Sequence, residues 1–434
     1  MKISIVGTGY VGLICGVGFA RLSHKITCID IDSNKVDMIN HGKAPLYEPG
    51  LDDQLGEVLE SGNFIAHENY SSIADSDVVF ICVGTPSADD GSVNLRFIEE
   101  AAKSIARSFG EECGFKVVAV RSTVPPGTTN NIVKGALKQS GLIEGKDFGI
   151  AMIPEFLKEG SAMEDFMNPD RLVFGYESDK TKKILDSLHE SFSCKKLYVD
   201  LKTAEMIKYV SNSFLATKVS FANEIANMCQ KFHLDVDQVM EGVGLDSRIG
   251  PKFLNAGAGF GGSCFPKDVR GLIHKSKSDG YEPFLLKAVV DVNKKQHIKL
   301  IEMLGGLMEM ESKTIAILGL AFKPGTDDIR ESPAIATIQR LLDKKSKIRA
   351  YDPKAMENMK KIFPDIYYAK DVVECLTDCD AALIITEWPE FRLRAQEFKE
   401  LLGSAPLIDA RRLLSQTESE KAGLKYYCIG RGIE

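Results

Sequence analysis

The sequence predicts an α/β protein: two doubly wound, parallel-sheet domains joined by a helical central domain with one long helix. Three observations carry this. Short apolar runs alternate with amphipathic stretches from residue 2 to about 200, and glycine, threonine, proline and glutamate cluster where the runs end. No glycine or proline interrupts residues 176–241. A second series of apolar runs opens at Thr314 and continues to Ile408. The expected domains are 1–200, 201–309 and 310–434.

Composition narrows the class. The chain has 434 residues, 44% hydrophobic and 26% charged, which is ordinary globular composition with room for several domains. A net charge of −7 and the lack of a basic run argue against a nucleic-acid partner. Ten cysteines without a Cys-x-x-Cys pair make neither a disulfide scaffold nor a zinc site, and no metal is expected. The apolar stretch before Gly7 is too short for a signal peptide, and no run of eighteen apolar residues occurs. A reduced, cytoplasmic protein with no membrane partner is expected.

The first element is an apolar strand, Lys2 to Val6. It runs into Gly7-Thr8-Gly9-Tyr10-Val11-Gly12, then a helical stretch to Leu22, then a strand from Ile26 to Ile29 that ends at Asp30. Strand, Gly-x-Gly-x-x-Gly, helix, strand and acid in this order make a Rossmann-type dinucleotide site. Gly7 permits the tight turn, Gly9 lets the backbone approach a pyrophosphate at the helix N-terminus, and Gly12 lets helix and strand close up. Asp30 is expected to accept hydrogen bonds from a ribose and to repel a 2′-phosphate, which selects NAD over NADP. Lys35 is either a solvated helix residue or a cation beside that ribose.

Further strands fit Val78–Val83, Lys116–Arg121 and Phe148–Ile153. They end in Gly84-Thr85-Pro86, in Ser122-Thr123-Val124-Pro125, and in Pro154-Glu155-Phe156-Leu157-Lys158-Glu159-Gly160. Ligands of open parallel sheets bind outside the carboxyl ends of strands, so Gly7, Thr85, Thr123 and Glu155 are expected around one crevice. Taken singly, each threonine also suits a turn.

A strand near Lys196–Val199 closes the first domain, and a long amphipathic helix is expected from about Lys202 to Lys231. Its apolar positions Ile207, Val210, Phe214, Phe221 and Met228 suit a domain joint or a dimer seam. Lys208 and Asn212, four apart on one face, are either solvated or aimed at a substrate. Then comes Gly257-Ala-Gly-Phe-Gly-Gly-Ser-Cys264-Phe-Pro-Lys267-Asp268. The glycines suggest an open loop that a ligand approaches closely, with Pro266 starting a helix. A thiol just ahead of a helix N-terminus and near Lys267 is favoured as a thiolate nucleophile. A buried, inert cysteine beside a hinge is the plainer alternative.

Two more helices are expected up to about Met308, then strands at Thr314–Gly319, Lys347–Tyr351, Ala381–Ile385 and Leu407–Ile408. The turn Gly319-Leu320-Ala321-Phe322-Lys323 lacks the second and third glycines and makes a poor dinucleotide cradle. Lys323 and Arg330 just beyond it suit either phosphate oxygens or surface ion pairs.

Together with Tyr47-Glu48-Pro49-Gly50-Leu51 and Arg248-Ile249-Gly250-Pro251-Lys252-Phe253-Leu254, these motifs resemble the nucleotide-sugar 6-dehydrogenases, the UDP-glucose/GDP-mannose dehydrogenase family, over essentially the whole chain. The resemblance implies a four-electron oxidation of UDP-glucose to UDP-glucuronate by two NAD⁺, through a thiohemiacetal and thioester on Cys264. It implies that Lys208 and Asp268 orient water and stabilise oxyanions, that Thr123 and Glu155 position water and act in acid–base chemistry, and that Asn212 holds the sugar. It places Glu155, Phe156, Leu157, Lys158, Glu159, Lys208, Phe253, Leu254, Asn255, Ala256, Gly257, Gly261, Phe322 and Lys323 around the UDP-sugar. Gly7, Gly9, Tyr10, Val11, Gly12, Asp30, Lys35, Thr85, Thr123, Glu159, Lys267 and Arg330 go to NAD. Arg248 resembles a residue that reaches substrate from a neighbouring subunit, and Arg411 or Arg412 also suits the substrate. A homodimer or higher homo-oligomer follows. The alternatives are GDP-mannose or another UDP-sugar as substrate, a one-step 3-hydroxyacid dehydrogenase, or a non-catalytic NAD-binding redox sensor.

Overall fold

The computed structural model describes residues 1–109 and 114–432. The chain separates into two compact units, Met1–Ser211 and Asn212–Glu434.

The first unit is built on one sheet. Its strands are β1 (Lys2–Val6), β2 (Lys25–Ile29), β3 (Phe64–His67), β4 (Val78–Ile81), β5 (Lys116–Val120), β6 (Phe148–Met152), β7 (Arg171–Tyr176) and β8 (Lys195–Val199). Their spatial order is β3-β2-β1-β4-β5-β6-β7-β8, parallel throughout except for the β6–β7 pair. The order reverses between β1 and β4, which is where a doubly wound sheet opens a ligand crevice. Alternation shows why the sheet forms. Val78 and Phe80 of β4 pack into one core, while Val79 and Ile81 pack into the other. A strand buried on both faces reads as the continuous apolar run seen in the sequence. Strands β3 and β7 lie outside the strands expected from the sequence. The first has only four residues and buries every second one; the second pairs antiparallel with β6, outside the βα alternation.

The long helix spans Leu201–Phe232, one residue beyond the expected end on each side. In the second unit, helices Val236–Gly244, Phe265–Ser278, Phe284–Gln296 and Lys299–Gly305 precede a six-stranded sheet. Where two helices were expected up to Met308, the segment from Cys264 onward forms three. The chain turns at His297–Ile298, and this lets Leu300, Ile301 and Leu304 pack into the core beneath the sheet. The strands are β9 (Thr314–Leu318), β10 (Lys347–Tyr351), β11 (Tyr367–Tyr368), β12 (Ala381–Ile384), β13 (Leu407–Asp409) and β14 (Tyr426–Cys428). Their order, β11-β10-β9-β12-β13-β14, is all parallel and repeats the winding of the first six strands of the other sheet. The short strands β11 and β14 were not anticipated.

The repetition is detailed. Gly7 after β1 and Gly319 after β9 both have φ +96°. Gly7 N–H donates to Ile29 O at 2.7 Å, and Gly319 N–H to Tyr351 O at 2.9 Å. A Cβ on Gly7 would meet Cys82 O at 2.9 Å, and one on Gly319 would meet Thr386 Cβ at 2.5 Å. Both positions need glycine for conformation and for space.

Candidate functional site

In the first unit the loop after β1 feeds helix Tyr10–Arg21, whose N-cap, Gly9, offers no side-chain cap. The first helical N–H groups therefore remain available to an anion. A Cβ on Gly12 would lie 1.9 Å from Gly7 O, whereas one on Gly9 would meet nothing within 4 Å. Gly12 thus closes the turn, and Gly9 faces open space. Asp30, at the end of β2, accepts from Thr8 N at 2.8 Å and Thr8 Oγ1 at 2.6 Å through Oδ2, and from Asp32 N at 3.1 Å through Oδ1. Burial pushes its carboxyl up, but the Thr8 and Asp32 hydrogen bonds and the Lys35 charge bring it below its usual range. Asp30 is an anion that braces the glycine turn and remains half-exposed. An uncapped helix end, an open Gly9 face and a half-exposed carboxylate fit the pyrophosphate and ribose of a dinucleotide.

The neighbouring strand ends carry the other expected groups. Thr85 Oγ1 donates to Thr123 O at 2.9 Å and so ties the segment after β4 to the one after β5. After β6, Glu155 is buried and meets Lys208 of the long helix. Lys208 Nζ donates to Glu155 Oε1 at 2.9 Å and to Glu155 O at 2.7 Å, and Leu157 N–H donates to Oε2 at 2.6 Å. The paired side chains are only 4% and 7% exposed. Burial raises the Glu155 carboxyl, yet the Lys208 charge and hydrogen bond, the Leu157 N–H and the Arg121 charge together hold it below its usual range. Lys208 also lies 5.5 Å from the centre of the Phe156 ring, whose face Arg171 approaches to 3.9 Å. Lys158 pairs with Asp165, and Glu159 contributes charge near Tyr10.

Two acids that the sequence reading left without a role organise this region. Glu48 accepts from Tyr10 OH, from Gly160 N at 2.7 Å and from Ala162 N at 2.7 Å, and so joins the glycine turn to the Glu155–Gly160 segment. Burial and Glu48 push the Tyr10 phenol well up, so it stays a donor. Glu205, also on the long helix, accepts from Gly127 N at 2.5 Å and Thr129 N at 2.7 Å, and anchors the segment that follows Thr123. For Glu48 the signal was its place in Tyr47–Leu51. For Glu205 the sequence held no signal beyond its distance of three residues from Lys208.

The second unit carries the thiol. Cys264 is half-buried and N-caps helix Phe265–Ser278, so the helix starts one residue before Pro266. Its Sγ lies 3.4 Å from Ser263 Oγ. One turn on, Asp268 is 1% exposed and accepts from Lys267 Nζ at 2.6 Å and from Asn212 Nδ2 at 2.6 Å. Asn212, Lys267 and Asp268 thus form one network centred one helical turn after Cys264, and Lys267 spends its charge on Asp268.

The glycines before Cys264 are not in an open loop: residues 256–262 are buried. A Cβ on Gly257 would meet Ala410 O at 3.0 Å and Arg411 Nη1 at 3.1 Å. One on Gly261 would meet Glu331 O at 2.3 Å, and one on Gly262, where φ is +84°, would meet the Phe322 ring at 2.8 Å. These glycines let the backbone pass close against Ala410, Glu331 and Phe322. In the same unit Phe253 holds φ +65° with its ring 6.3 Å from that of Phe265. Leu254 and Ala256 are buried and Asn255 is exposed. Lys323 lies 5.7 Å from the Phe322 ring. Arg330 pairs with Asp328, and Arg248, 86% exposed, pairs with Asp246. Arg411 lies beside Gly257, whereas Arg412 is committed to Asp235 and Asp237, so of the two Arg411 borders the glycine loop. A cavity of about 660 Å³ is lined by Asn255, Ala256, Glu387, Arg392 and Arg411 among others.

The second sheet has its own acid in the place of Asp30. Asp352, after β10, accepts from Leu320 N at 2.7 Å, Ala321 N at 3.0 Å, Trp388 Nε1 at 3.0 Å, Lys354 N at 2.9 Å and Ala355 N at 2.8 Å. It is fully buried and its lone pairs are taken, so it has nothing left for a ribose. This agrees with the missing glycines of that turn. Among the described residues no group of three or more His, Cys, Asp or Glu is placed to hold a metal ion, and no helix is long and apolar enough to cross a membrane.

Comparison with known proteins matches this geometry. Residues 1–193 match the NAD binding domain of the UDP-glucose/GDP-mannose dehydrogenase family, residues 202–295 its central domain, and residues 316–416 its UDP binding domain. The chain is 42% identical to UDP-glucose 6-dehydrogenase TuaD of Bacillus subtilis (strain 168), across 99% of this chain and 93% of that protein. It is 42% identical to UDP-glucose 6-dehydrogenase AglM of Haloferax volcanii, across 98% and 99%. A solved UDP-glucose dehydrogenase from the archaeon Pyrobaculum islandicum superposes with a TM-score of 0.91 at 36% identity, covering 100% of this chain and 98% of that one. The cofactor is NAD and the protein is an oxidoreductase. With three successive domains matched and relatives aligned from end to end, the chain belongs to the UDP-glucose/GDP-mannose dehydrogenase family.

Proposed function

We propose that the protein oxidises C6 of UDP-glucose twice and releases UDP-glucuronate, with Cys264 as the nucleophile. The observation that carries this is a half-buried thiol at a helix N-terminus, one turn from the buried Asn212–Asp268–Lys267 network. Two relatives at 42% identity that are UDP-glucose enzymes favour this substrate over GDP-mannose or another UDP-sugar.

NAD⁺ bound at the Gly7–Gly12 turn and Asp30 supplies an acceptor for hydride, twice per sugar. The chain's own groups do the rest. Once C6 is an aldehyde, the Cys264 thiolate adds to it and forms a C–S bond, and the aldehyde oxygen takes a proton. Loss of a second hydride and of that proton leaves a thioester. Water attacks the thioester carbon, the C–S bond breaks, the thiolate returns and the carboxylate departs. A thiol suits this because it retains the reactive aldehyde between the two oxidations. Lys208 and Asp268 orient water and balance the charge that develops on oxygen. Glu155, held anionic, orients water as an acceptor together with Thr123. Asn212 holds the sugar. Phe253–Gly257, Gly261, Phe322, Lys323 and the Glu155–Glu159 segment bind the UDP-sugar. Thr85, Lys35, Lys267 and Arg330 complete the cofactor contacts.

Exposed Phe214, Phe221, Met228 and Phe232 line the long helix, an apolar stripe suited to a second copy of the chain. In that homodimer Arg248 reaches a neighbour's substrate. We infer three functional domains, 1–200, 201–309 and 310–434. All nine described cysteines are free thiols, which suits the cytoplasm.

The test is stoichiometry. Purified enzyme reduces two NAD⁺ per UDP-glucose consumed, and Cys264→Ala forms no acid while still binding NAD. A ratio of one with accumulating aldehyde, or full turnover by Cys264→Ala, overturns the route.

A further inference from the structure

The loop that delivers Cys264 has no regular secondary structure, so the partners of its buried backbone groups are a question of their own. Two points on it have both groups taken by side-chain amides. Gly257 N–H donates to Asn223 Oδ1 at 2.8 Å, and Gly257 O accepts from Gln296 Nε2 at 2.7 Å. Phe260 N–H donates to Asn293 Oδ1 at 2.8 Å, and Phe260 O accepts from Asn293 Nδ2 at 2.9 Å. A single asparagine therefore treats Phe260 as an adjacent strand would. Asn227 Nδ2 supports Gln296 Oε1 at 2.9 Å. Asn293 and Gln296 are three apart on helix Phe284–Gln296 and both are buried. Gly259, between the two points, has φ +101°, and a Cβ there would lie 2.7 Å from Asn293 Oδ1 and from His297 Cδ2. The helix face thus acts as a template for the loop, and the glycine is what lets the backbone lie against it.

We propose that Asn293, seconded by Gln296 and Asn223, is a positioning residue: its amide fixes the register of the loop and thereby sets where the Cys264 sulfur stands. The proposal rests on the thiol chemistry above. The side-chain hydrogen bonds of Asn293 go to Phe260 and His297, so it acts through Phe260, four residues ahead of the thiol. A displacement of about 1 Å in a reacting group costs about 100-fold in rate, so a modest slip of this loop is enough.

The test exploits the shape of the amide. In Asn293→Asp, the carboxylate keeps the acceptor for Phe260 N–H but turns an oxygen toward Phe260 O. The protonated acid restores both donor and acceptor. The titratable group nearest this site is His297, whose Nε2 is 3.2 Å from Asn293 Nδ2 and 3.1 Å from Phe260 O. Burial lowers its pKa, the hydrogen bond with Phe260 O and the Glu331 charge raise it, the Arg411 charge lowers it, and the net shift is downward, toward the neutral imidazole. Asn293→Ala and Asn293→Asp are each compared with wild type from pH 6 to 9 for kcat, KM for NAD and the rate of iodoacetamide alkylation at Cys264, read by peptide mass mapping. Asn293→Ala is expected to lower kcat by about 10- to 100-fold with KM for NAD unchanged and to alter alkylation at Cys264, its ratio to wild type flat with pH. The Asn293→Asp ratio is expected to climb as pH falls. Wild-type kcat and alkylation in Asn293→Ala, or an Asn293→Asp ratio as flat as that of alanine, overturns the proposal. Should Asn293→Ala not fold, the slope of the Asn293→Asp ratio decides alone. Should wild type produce no NADH from UDP-glucose, the functional reading fails, while the alkylation rates still decide whether Asn293 places the thiol.

Discussion

Lys208 donates to both the carboxylate and the main-chain carbonyl of Glu155, so one ammonium fixes the side chain and the backbone of the same residue. Two consequences follow. The carboxyl cannot turn away without losing the cation, and it remains ionised despite its burial. Glu155 is therefore a carboxylate that can accept a proton but does not act as an acid at neutral pH.

Lys208→Met tests this. Removing one partner of a buried pair costs about 3–5 kcal/mol, read as a fall in the urea midpoint at pH 7. The native carboxyl lies below its ordinary value of 4.5, so its contribution is complete above the unfolded value and fades as pH falls through the native one. The stability gap between wild type and variant should narrow as pH falls below about 4.5. A gap that stays constant over that range would show that Glu155 is not the group responsible.

The glycine turn predicts a contrast between two single substitutions. Gly9→Ala puts its methyl into open space, so thermal stability should hold while NAD binding, measured by titration calorimetry, weakens about tenfold or more. Gly12→Ala puts its methyl 1.9 Å from Gly7 O. That forces helix and turn apart, and the melting temperature should fall together with affinity. Equal effects of the two on stability would contradict the division of labour between them.

Asp30 has two tasks, bracing Thr8 and presenting charge. Asp30→Asn keeps an acceptor for the Thr8 hydroxyl and removes the charge. KM for NAD should rise, and the preference for NAD over NADP should fall by about tenfold, the equivalent of about 1.4 kcal/mol. Steady-state kinetics with the two cofactors checks this; an unchanged preference would mean that charge at this position does not select.

Asp352 should behave as pure structure. Asp352→Ala leaves five donors without their acceptor, four of them inside the core, and should cost at least about 3 kcal/mol by urea denaturation. At a temperature where the variant is folded, KM for NAD should match wild type. A raised KM would place a cofactor contact where none is expected.

Much of the fold was legible because its signals are local. Gly7, Gly9, Gly12 and Asp30 fall within one βαβ unit, and the gap-free stretch after Tyr176 announced the long helix nearly to its ends. The strand ends that carry Thr85, Thr123 and Glu155 followed from winding alone. What escaped was set by distant partners. The glycines before Cys264 suggested an exposed backbone, but their neighbours prove to be Asn293, His297, Phe322, Glu331 and Ala410, which no local pattern links to them. Asn223, Asn293 and Gln296 looked like ordinary polar helix residues, since hydrogen bonds to a loop leave no periodicity. Glu205 was hidden for the same reason. Strand β7 broke the alternation by running antiparallel, and β11 has only two residues.

The two sheets share a winding order, a left-handed glycine after the first strand and an acid after the second, yet only one of the acids is open to a ligand. What separates them is Trp388 and the peptide groups of Leu320 and Ala321, which close over Asp352. A designer wishing to give the C-terminal half a coenzyme of its own would gain little by restoring its absent glycines. The indole would have to go first, because vacancy at the carboxylate, more than the loop motif, is what turns such a fold into a receptor.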